Sequence, residues 1–232
     1  MLFTDQQLNA FANYCKNNID LNNGRSINSY QSLSICIIDC VYSLRAKYET
    51  VTVKVVKNYA DKYMDGKIYS AEDTVDKLID HIKKCGGCEK FAKTVLDNRQ
   101  RISRRLKSEV CYDLAQKFVD QGINTLFDFQ KAADKDVSTL EDLIISVKGI
   151  GRAALNYLFM LAGDQERCKP DVHILRFVSS ALNLSSVSGG FCQELLSSTA
   201  ERLKKEYSNL TTRQLDWLIW DKGQREARRG RK

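Results

Sequence analysis

The feature that most restricts the fold is the near absence of proline, because Pro170 is the only one in 232 residues. Proline interrupts helix interiors, since it lacks a backbone donor and clashes with the preceding turn. Apolar residues recur at helical spacing along nearly the whole chain, and the strongly apolar segment 32–48 predicts a buried helix. Convincing strands or hairpin turns are missing. The sequence therefore predicts an all-α fold of about ten helices with short connectors.

Local signals refine the helix boundaries. Residues 51–64 are rich in β-branched side chains, but their apolar positions recur at helical spacing, which favours a helix over a strand. Ser70, followed three residues later by Asp73, predicts an N-cap, and Gly122 predicts a C-cap. Further helices are predicted in segments 89–98, 108–121, 139–147, 152–161, 173–182, 191–209 and 211–224.

Length and composition bound the class of protein. The 232 residues suffice for one large domain or two small ones, and no run of about 18 apolar residues predicts a membrane span. The N-terminus carries Asp5 early and lacks the basic start of a signal peptide. We therefore expect the eight cysteines to be reduced thiols in a cytoplasmic protein, which would be nucleoid-associated in a prokaryote.

The positive charge is concentrated in two segments. The chain has a net charge of +7, yet residues 98–108 carry five basic side chains and no acidic one. Residues 222–232 carry six basic side chains and one acidic one. Concentrated basicity indicates polyanion binding rather than general solubility. The alternative is a solvated face together with a disordered tail.

A glycine pair separates two predicted helices, 139–147 and 152–161. Glycine permits backbone conformations that a β-carbon resists, and it leaves main-chain N–H groups open to a phosphate. The N-terminus of the second helix adds unpaired N–H groups and a positive dipole end. This turn predicts a sequence-independent contact with a DNA backbone, and a plain helical turn is the alternative. The residues concerned are Lys148, Gly149, Ile150, Gly151 and Arg152.

With the segment KPDVHILRFV, which contains Asp171, His173, Ile174 and Arg176, the chain resembles the helix-hairpin-helix/Gly-Pro-Asp superfamily of DNA glycosylases, typified by endonuclease III. In that family a hairpin is followed by a loop that delivers an aspartate to the start of the next helix. The spacing from hairpin to aspartate also matches. The resemblance implies base-excision repair of double-stranded DNA.

The resemblance also implies an architecture of two helical domains flanking a DNA-binding cleft. The first would be a helical barrel over 26–152 that ends in the hairpin. The second would combine 1–25 with 153–232, carry Asp171 and end in the basic tail 222–232. We expect a monomer that needs no cofactor and no metal.

Three departures from the family narrow the expected chemistry. Ala153 stands eighteen residues before Asp171, where bifunctional members carry the Schiff-base lysine, so strand nicking is expected to be absent or weak. Lys148 replaces the proline usual in the hairpin. Cys192 is the only cysteine after Asp171, so the iron–sulfur cluster of endonuclease III cannot form there.

Asp171 is the expected catalytic residue. Breaking an N-glycosidic bond develops positive charge on the sugar, which a carboxylate stabilises while it orients or deprotonates the attacking water. Asp171 is also expected to cap the following helix, and the two roles are compatible. His173 is expected to be structural, with its ring packed at the helix start.

The basic segment 98–108 resembles in position the loop that fills the gap left by a flipped base. Ile102 or Leu106 would be the plug, and a simple basic loop is the alternative. Arg45 falls near the family's minor-groove-inserting residue and is a second candidate wedge. The expected DNA contacts in the segment are Asn98, Arg99, Gln100, Arg101 and Arg104.

Residues 34–49 are expected to line part of the base pocket. Asp39 is a carboxylate in an apolar run, so it either lies at the rim or is held by partners, and it is a candidate for reading the base. Tyr42 and Tyr157 could stack on a flipped base, although aromatic residues at helical spacing are more often core. Cys85 and Cys88 have C-x-x-C spacing, but buried free thiols are favoured over a zinc site.

Four functions follow in order of preference. The first is a monofunctional glycosylase, and the second is a glycosylase/lyase that uses another lysine, of which Lys148 is nearest. The third is a non-catalytic helix-hairpin-helix DNA-binding protein. The fourth is a helical protein-interaction domain, which predicts no salt-dependent DNA binding.

Overall fold

The computed structural model describes residues 2–23, 29–70 and 72–229. The regular secondary structure of these residues is almost entirely helical, which confirms the all-α fold class. None of the described helices is long and apolar enough to cross a membrane. In chain order the elements are α1 (Asp5–Asn18), α2 (Leu33–Tyr42), a π-helical turn (Tyr48–Thr52), α3 (Val53–Tyr63), α4 (Val75–Lys84), α5 (Cys88–Thr94), β1 (Arg101–Ile102), β2 (Arg105–Leu106), α6 (Lys107–Asp120), α7 (Leu126–Ile145), α8 (Arg152–Leu161), α9 (Val172–Leu182), α10 (Gly189–Leu203) and α11 (Thr212–Arg229).

The chain divides into two compact units. The central unit is Asn28–Ala162, and the terminal unit combines Met1–Ile27 with Gly163–Lys232. The division differs from the predicted boundary after Arg152, because Leu155 and Leu158 of α8 pack into the core of the central unit. The predicted boundary at residue 26 and the last three residues of the basic tail lie outside the described residues.

Helix α2 forms the centre of the central unit. All ten of its residues are buried, as its continuous apolar character predicts, and α3, α6 and α8 pack around it. Residues 51–64 are helical as predicted, with the π-helical turn running directly into α3. Gly122 follows the last turn of α6 with a φ of +71°, which confirms the predicted glycine cap.

The predicted N-cap at Ser70 is wrong. Helix α4 begins at Val75, and its N-cap is Thr74. Asp73 does not complete a capping box, because its buried carboxylate accepts a hydrogen bond from the hydroxyl of Tyr59. Its backbone carbonyl accepts hydrogen bonds from the hydroxyls of Ser32 and Ser34, so residue 73 joins α4 to the start of α2.

The β-hairpin and the first half of α7 were not predicted from the sequence. The strands β1 and β2 pair antiparallel across a two-residue turn, Ser103 and Arg104, which both have positive φ. This geometry is typical of hairpin turns, but the turn lacks the glycine or asparagine that usually signals it. The first half of α7 was also missed. The helix is kinked at Asp136, whose carboxylate accepts the N–H of Thr139 and restarts the helix as an N-cap would.

The terminal unit packs α1, α9, α10 and α11 around one apolar core. Helix α9 contacts both α1 and α11 and lies in the middle of this unit. Helix α11 continues to Arg229, so the first part of the basic tail is helical rather than disordered. Ion pairs join Lys222 to Glu226 and Arg225 to Asp221 on this helix.

Candidate nucleic-acid interface and candidate catalytic aspartate

The turn between α7 and α8 depends on Gly149. Its φ is +112°, a conformation that side-chain-bearing residues rarely adopt. A Cβ at this position would also lie 3.3 Å from methyl carbons of Ile102 and Val110. The next residue, Ile150, is buried and donates its N–H to the carbonyl of Val147 at 3.0 Å. The turn is therefore fixed by packing as well as by backbone conformation.

Gly151 has a different role. It is the N-cap of α8, its φ of −113° is open to any residue, and a Cβ there would meet nothing within 4 Å. The space in front of the first N–H groups of α8 is thus open, which is the arrangement that favours an anion at a helix N-terminus. Lys148 and Arg152 are exposed on either side, and Arg152 pairs with Glu141 at 2.9 Å.

The β-hairpin of the basic segment lies against the glycine turn. Ile102 is half-buried next to Gly149, so the structure brings the predicted plug and the predicted phosphate contact together. Leu106, the other candidate plug, is only 4% exposed and belongs to the protein interior. The expectation for Leu106 is therefore wrong, because a side chain packed inside the unit cannot enter a base stack.

The charged side chains of the basic segment differ in their availability. Arg101 and Arg104 are exposed at the tip of the hairpin, where Arg101 donates to the carbonyl of Arg104 at 3.0 Å. Arg99 is exposed and pairs with Glu89. Asn98 is half-buried, and its side chain accepts the N–H of Gln100 at 2.9 Å. Asn98 and Gln100 are thus held within the protein, whereas the arginines face solvent.

Lys107 is a buried cation that the sequence did not distinguish from its exposed neighbours. It is 2% exposed, and its ammonium donates to the carbonyls of Tyr42 at 3.0 Å and Leu44 at 2.7 Å. It also donates to Oε1 of Gln100 at 2.8 Å. A single ammonium therefore joins the C-terminal end of α2 to the basic segment. Arg45, the second candidate wedge, follows Leu44 directly and is exposed with a φ of +50°.

Tyr42 cannot stack on a base in this structure, because its ring is fully buried. The ring lies 5.7 Å from the ammonium of Lys107, and the hydroxyl donates to the carbonyl of Asn98 at 3.4 Å. The prediction for Tyr42 is therefore wrong, and the residue serves the core beneath the basic segment.

Asp39 is the centre of a tyrosine cluster. Its buried carboxylate accepts the hydroxyls of Tyr30 at 2.6 Å and Tyr48 at 2.7 Å on Oδ2, and the hydroxyl of Tyr157 at 3.0 Å on Oδ1. Burial, and next the charge of Asp39, raise the pKa values of these three phenols, so all remain proton donors. Tyr69 is exposed and stacks on Tyr30 with ring centres 5.4 Å apart.

Asp171 lies in the terminal unit at the N-terminus of α9. Its Oδ1 accepts the N–H groups of His173 at 2.8 Å and Ile174 at 3.3 Å, which confirms the predicted N-cap. Its own N–H donates to the carbonyl of Lys169 at 2.6 Å across Pro170. The carboxyl group is therefore held by hydrogen bonds to the helix while the residue stays partly exposed.

Two helices pack against the loop that carries Asp171. A Cβ on Gly189 of α10 would lie 3.1 Å from Pro170, and a Cβ on Gly223 of α11 would lie 2.5 Å from Nδ1 of His173. The other ring nitrogen of His173 is 3.2 Å from Nε2 of Gln224. His173 is thus a packed residue at the helix start, as the sequence predicts.

Asp216 of α11 is a buried carboxyl group that interacts with Asp171, and it was not predicted from the sequence. Its Oδ1 accepts the N–H of Lys169 at 2.8 Å. Burial is the largest cause of a pKa of about 8 for Asp216. The hydrogen bond from Lys169 and the charges of Lys169 and Arg213 lower this pKa, and the charge of Asp171 raises it. The only signal in the sequence is an aspartate between Leu215 and Leu218 on an apolar helix face.

The eight cysteines, which all lie within the described residues, are thiols and not disulfides, and Cys85 and Cys88 are half-buried. Cys85 lies 3.3 Å from the hydroxyl of Thr94. Within residues 2–23, 29–70 and 72–229, no group of three or more histidine, cysteine, aspartate or glutamate side chains is arranged to hold a metal ion.

Comparison with known proteins gives one family and one similar fold. A family model described as a domain of unknown function (DUF8548) matches residues 9–224. No curated protein matches the chain. Among solved structures, the chain is similar to MBOgg1 in complex with a low-affinity DNA ligand, with 16% sequence identity and a TM-score of 0.61. The match covers 96% of this chain and 70% of that chain, and it shows a shared fold.

The two glycines of the turn should respond differently to alanine. Gly149→Ala introduces a strained φ and two close contacts, so we expect a loss of about 1–3 kcal/mol in the free energy of unfolding. Gly151→Ala meets open space and should cost less than about 1 kcal/mol, the scale of an N-cap effect. Urea denaturation of both variants measures the difference, and equal losses would contradict the assignment.

Lys107→Met should destabilise the protein. The substitution leaves the carbonyls of Tyr42 and Leu44 without their buried donor, which should cost about 1–3 kcal/mol of unfolding free energy. Lys117→Met removes the same charge from the same helix and is the control, with an expected change within about 0.5 kcal/mol. Urea denaturation of both variants provides the measurement. Identical behaviour of the two variants would refute a structural role for Lys107.

Asp216→Asn should stabilise the protein increasingly as the pH rises. The native state keeps a proton up to about pH 8 that the unfolded chain releases near pH 3.8, so wild-type stability falls with rising pH across this window. The gain of the variant over wild type should grow by up to about 1.4 kcal/mol per pH unit between pH 5 and pH 8. Denaturation at several pH values tests this, with the less buried Asp221→Asn as control. A gain independent of pH would contradict a protonated Asp216.

Proposed function

This chain belongs to the DUF8548 family, and we propose that it is a monofunctional DNA glycosylase that removes a damaged or modified base from double-stranded DNA. The observation that carries the proposal is Asp171, a partly exposed carboxyl group held at the N-terminus of α9. Its distance in sequence from the glycine turn is similar to that in the helix-hairpin-helix/Gly-Pro-Asp glycosylases. The fold shared with MBOgg1, a protein solved with a DNA ligand, supports it.

The glycine turn is the proposed contact with the DNA backbone. The open N-terminus of α8 at Gly151 offers N–H groups to a phosphate, and the exposed Lys148 and Arg152 add positive charge. Such contacts do not depend on base sequence. They would position the duplex without choosing the base.

The β-hairpin is the proposed device for base flipping. Arg101 and Arg104 at its exposed tip, together with Arg99 and Arg45, would bind phosphates or the orphaned base. Ile102 is the remaining candidate plug, since Leu106 is buried. A partly exposed aliphatic side chain on a turn supported by Gly149 would fill the space that the flipped base leaves.

The tyrosine cluster around Asp39 is the proposed wall of the base pocket. Because Asp39 already accepts three phenol hydroxyls, its role would be to fix the rings rather than to read the base directly. Tyr157 and Tyr48 are only partly buried and would present aromatic surface. Such surface tolerates several bases, since every base has a face that can stack.

Asp171 would supply the chemistry. As the bond between the base nitrogen and C1′ breaks, its electron pair leaves with the base, and the sugar becomes positively charged. An ionised Asp171 stabilises that charge and accepts a proton from the water that forms the new bond to C1′. With Ala153 in the position of the Schiff-base lysine, the product would be an abasic site in an intact strand.

The test measures base release from duplex DNA carrying oxidised, alkylated, deaminated or naturally modified bases. Wild type should release one class of base, detected by mass spectrometry, with strand nicking only after alkali. Asp171→Asn keeps a side chain that caps helices well, so folding should persist while release falls at least about 100-fold. Glu201→Gln, an exposed residue with the same change of charge, should match wild type.

Two outcomes would overturn the proposal in different ways. Nicking without alkali, with an enzyme–DNA adduct trapped by borohydride, would identify a glycosylase/lyase, and loss of the adduct in Lys148→Gln would assign the amine. Salt-sensitive DNA binding with no base released, and unchanged affinity in Asp171→Asn, would identify a non-catalytic DNA-binding protein.

A further inference from the structure

We propose that Asp216 is a positioning residue, which fixes the loop that carries Asp171 and sets the charge beside it. The inference rests on the proposed glycosylase function for its catalytic consequence. The proposed positioning of the loop rests only on contacts within the terminal unit. The resemblance to the glycosylase superfamily assigns no role to Asp216.

A hydrogen bond joins Asp216 to the loop that carries Asp171. Oδ1 of Asp216 accepts the N–H of Lys169 at 2.8 Å, two residues before Asp171. Asp216 is 7% exposed, so this contact is shielded from competing water. Loops carry few internal hydrogen bonds, and one anchor inside the core can therefore decide where a loop residue lies.

The same helix, α11, also contacts the chain just after Asp171. Gly223 and Gln224, which contact His173, follow Asp216 by seven and eight residues, and two helical turns place all three on one face of α11. Gly189 of α10 supports Pro170 between these anchors. Residues 169, 170 and 173 are thus each held by a partner, and Asp171 lies among them.

Asp216 also affects the charge beside Asp171. The groups that act on Asp216 are Lys169 and Asp171 from the loop and Arg213 from its own helix, and the charge of Asp216 in turn raises the pKa of the Cys168 thiol. Burial keeps the proton on Asp216 at neutral pH, so the loop is anchored without a second anion beside Asp171. Asp216 thus anchors the loop as a neutral group and leaves the proposed chemistry to the carboxyl group of Asp171.

A buried carboxyl group that keeps its proton lowers stability at neutral pH relative to a neutral side chain. An asparagine would make the same hydrogen bond to Lys169 without that cost. Functional sites commonly retain such unfavourable groups, because the site needs their chemistry. The carboxyl group at position 216 is therefore expected to serve the site rather than the stability of the fold.

The catalytic test uses single-turnover base release at saturating protein, on the substrate identified for wild type, between pH 6 and pH 9.5. Asp216→Ala should lower the rate at least about tenfold with unchanged DNA affinity, because the anchor acts on the reaction and not on binding. Asp216→Asn should restore most of the rate at pH 7. The wild-type rate should fall as the pH rises through about 8, because Asp216 then becomes a second anion beside Asp171, and the asparagine variant should lack this fall.

A measurement independent of activity keeps the two proposals separable. Amide hydrogen exchange at Lys169, followed by NMR, should be slow in wild type and Asp216→Asn, and about tenfold faster in Asp216→Ala. The carbon-13 titration of Asp216 should shift to lower pH in Asp171→Asn, since a neighbouring negative charge is removed. Asp221→Asn, on the same helix, should change neither.

The proposed function and the positioning role of Asp216 are refuted by different results. If wild type releases no base while the exchange and titration results are as expected, the proposed function fails and the positioning by Asp216 stands. If Asp216→Ala leaves the exchange at Lys169 unchanged, the positioning is refuted whatever the activity. Equal rates and parallel pH profiles for wild type and both Asp216 variants would refute the catalytic consequence.

Discussion

The structure depends on how charged groups are accommodated away from water. Removing a charge from water costs several kcal/mol unless hydrogen-bonding partners replace the solvent. Helix α2 illustrates the constraint, since it is entirely buried and yet contains Asp39. Three tyrosines from different parts of the central unit supply the donors that its carboxylate needs. The cost of burying one carboxylate thereby fixes the relative positions of α2, the π-helical turn and α8.

The same principle places the loops that matter for the proposed function. Lys107 needs acceptors and finds them at the end of α2 and on the basic segment, so one ammonium fixes the proposed DNA contacts on both sides. Asp216 meets the equivalent need in the terminal unit by holding the N–H of Lys169 and keeping its proton. In each unit a buried ionisable group makes hydrogen bonds to a segment to which we assign a function.

Much of the fold followed from the sequence, and the exceptions have physical causes. The buried helix α2, the glycine cap at Gly122 and the cap at Asp171 follow from apolar periodicity and local hydrogen bonding, which involve neighbours in sequence. The N-cap expected at Ser70 failed because the side chain of Asp73 is engaged by Tyr59, fourteen residues away. The β-hairpin was missed because its turn contains neither glycine nor asparagine.

The sequence by itself determined the all-α class, the glycine turn and the aspartate at the start of α9, because each rests on residue type and short spacing. Only the tertiary structure decided which charged and aromatic residues face solvent. Lys107 and Arg104 look alike in one basic segment, yet the first is buried under Tyr42 and the second is exposed. Asp216 likewise gained its contact with Lys169 from packing across forty-seven positions. Burial depends on neighbours distant in sequence, and local patterns do not contain them.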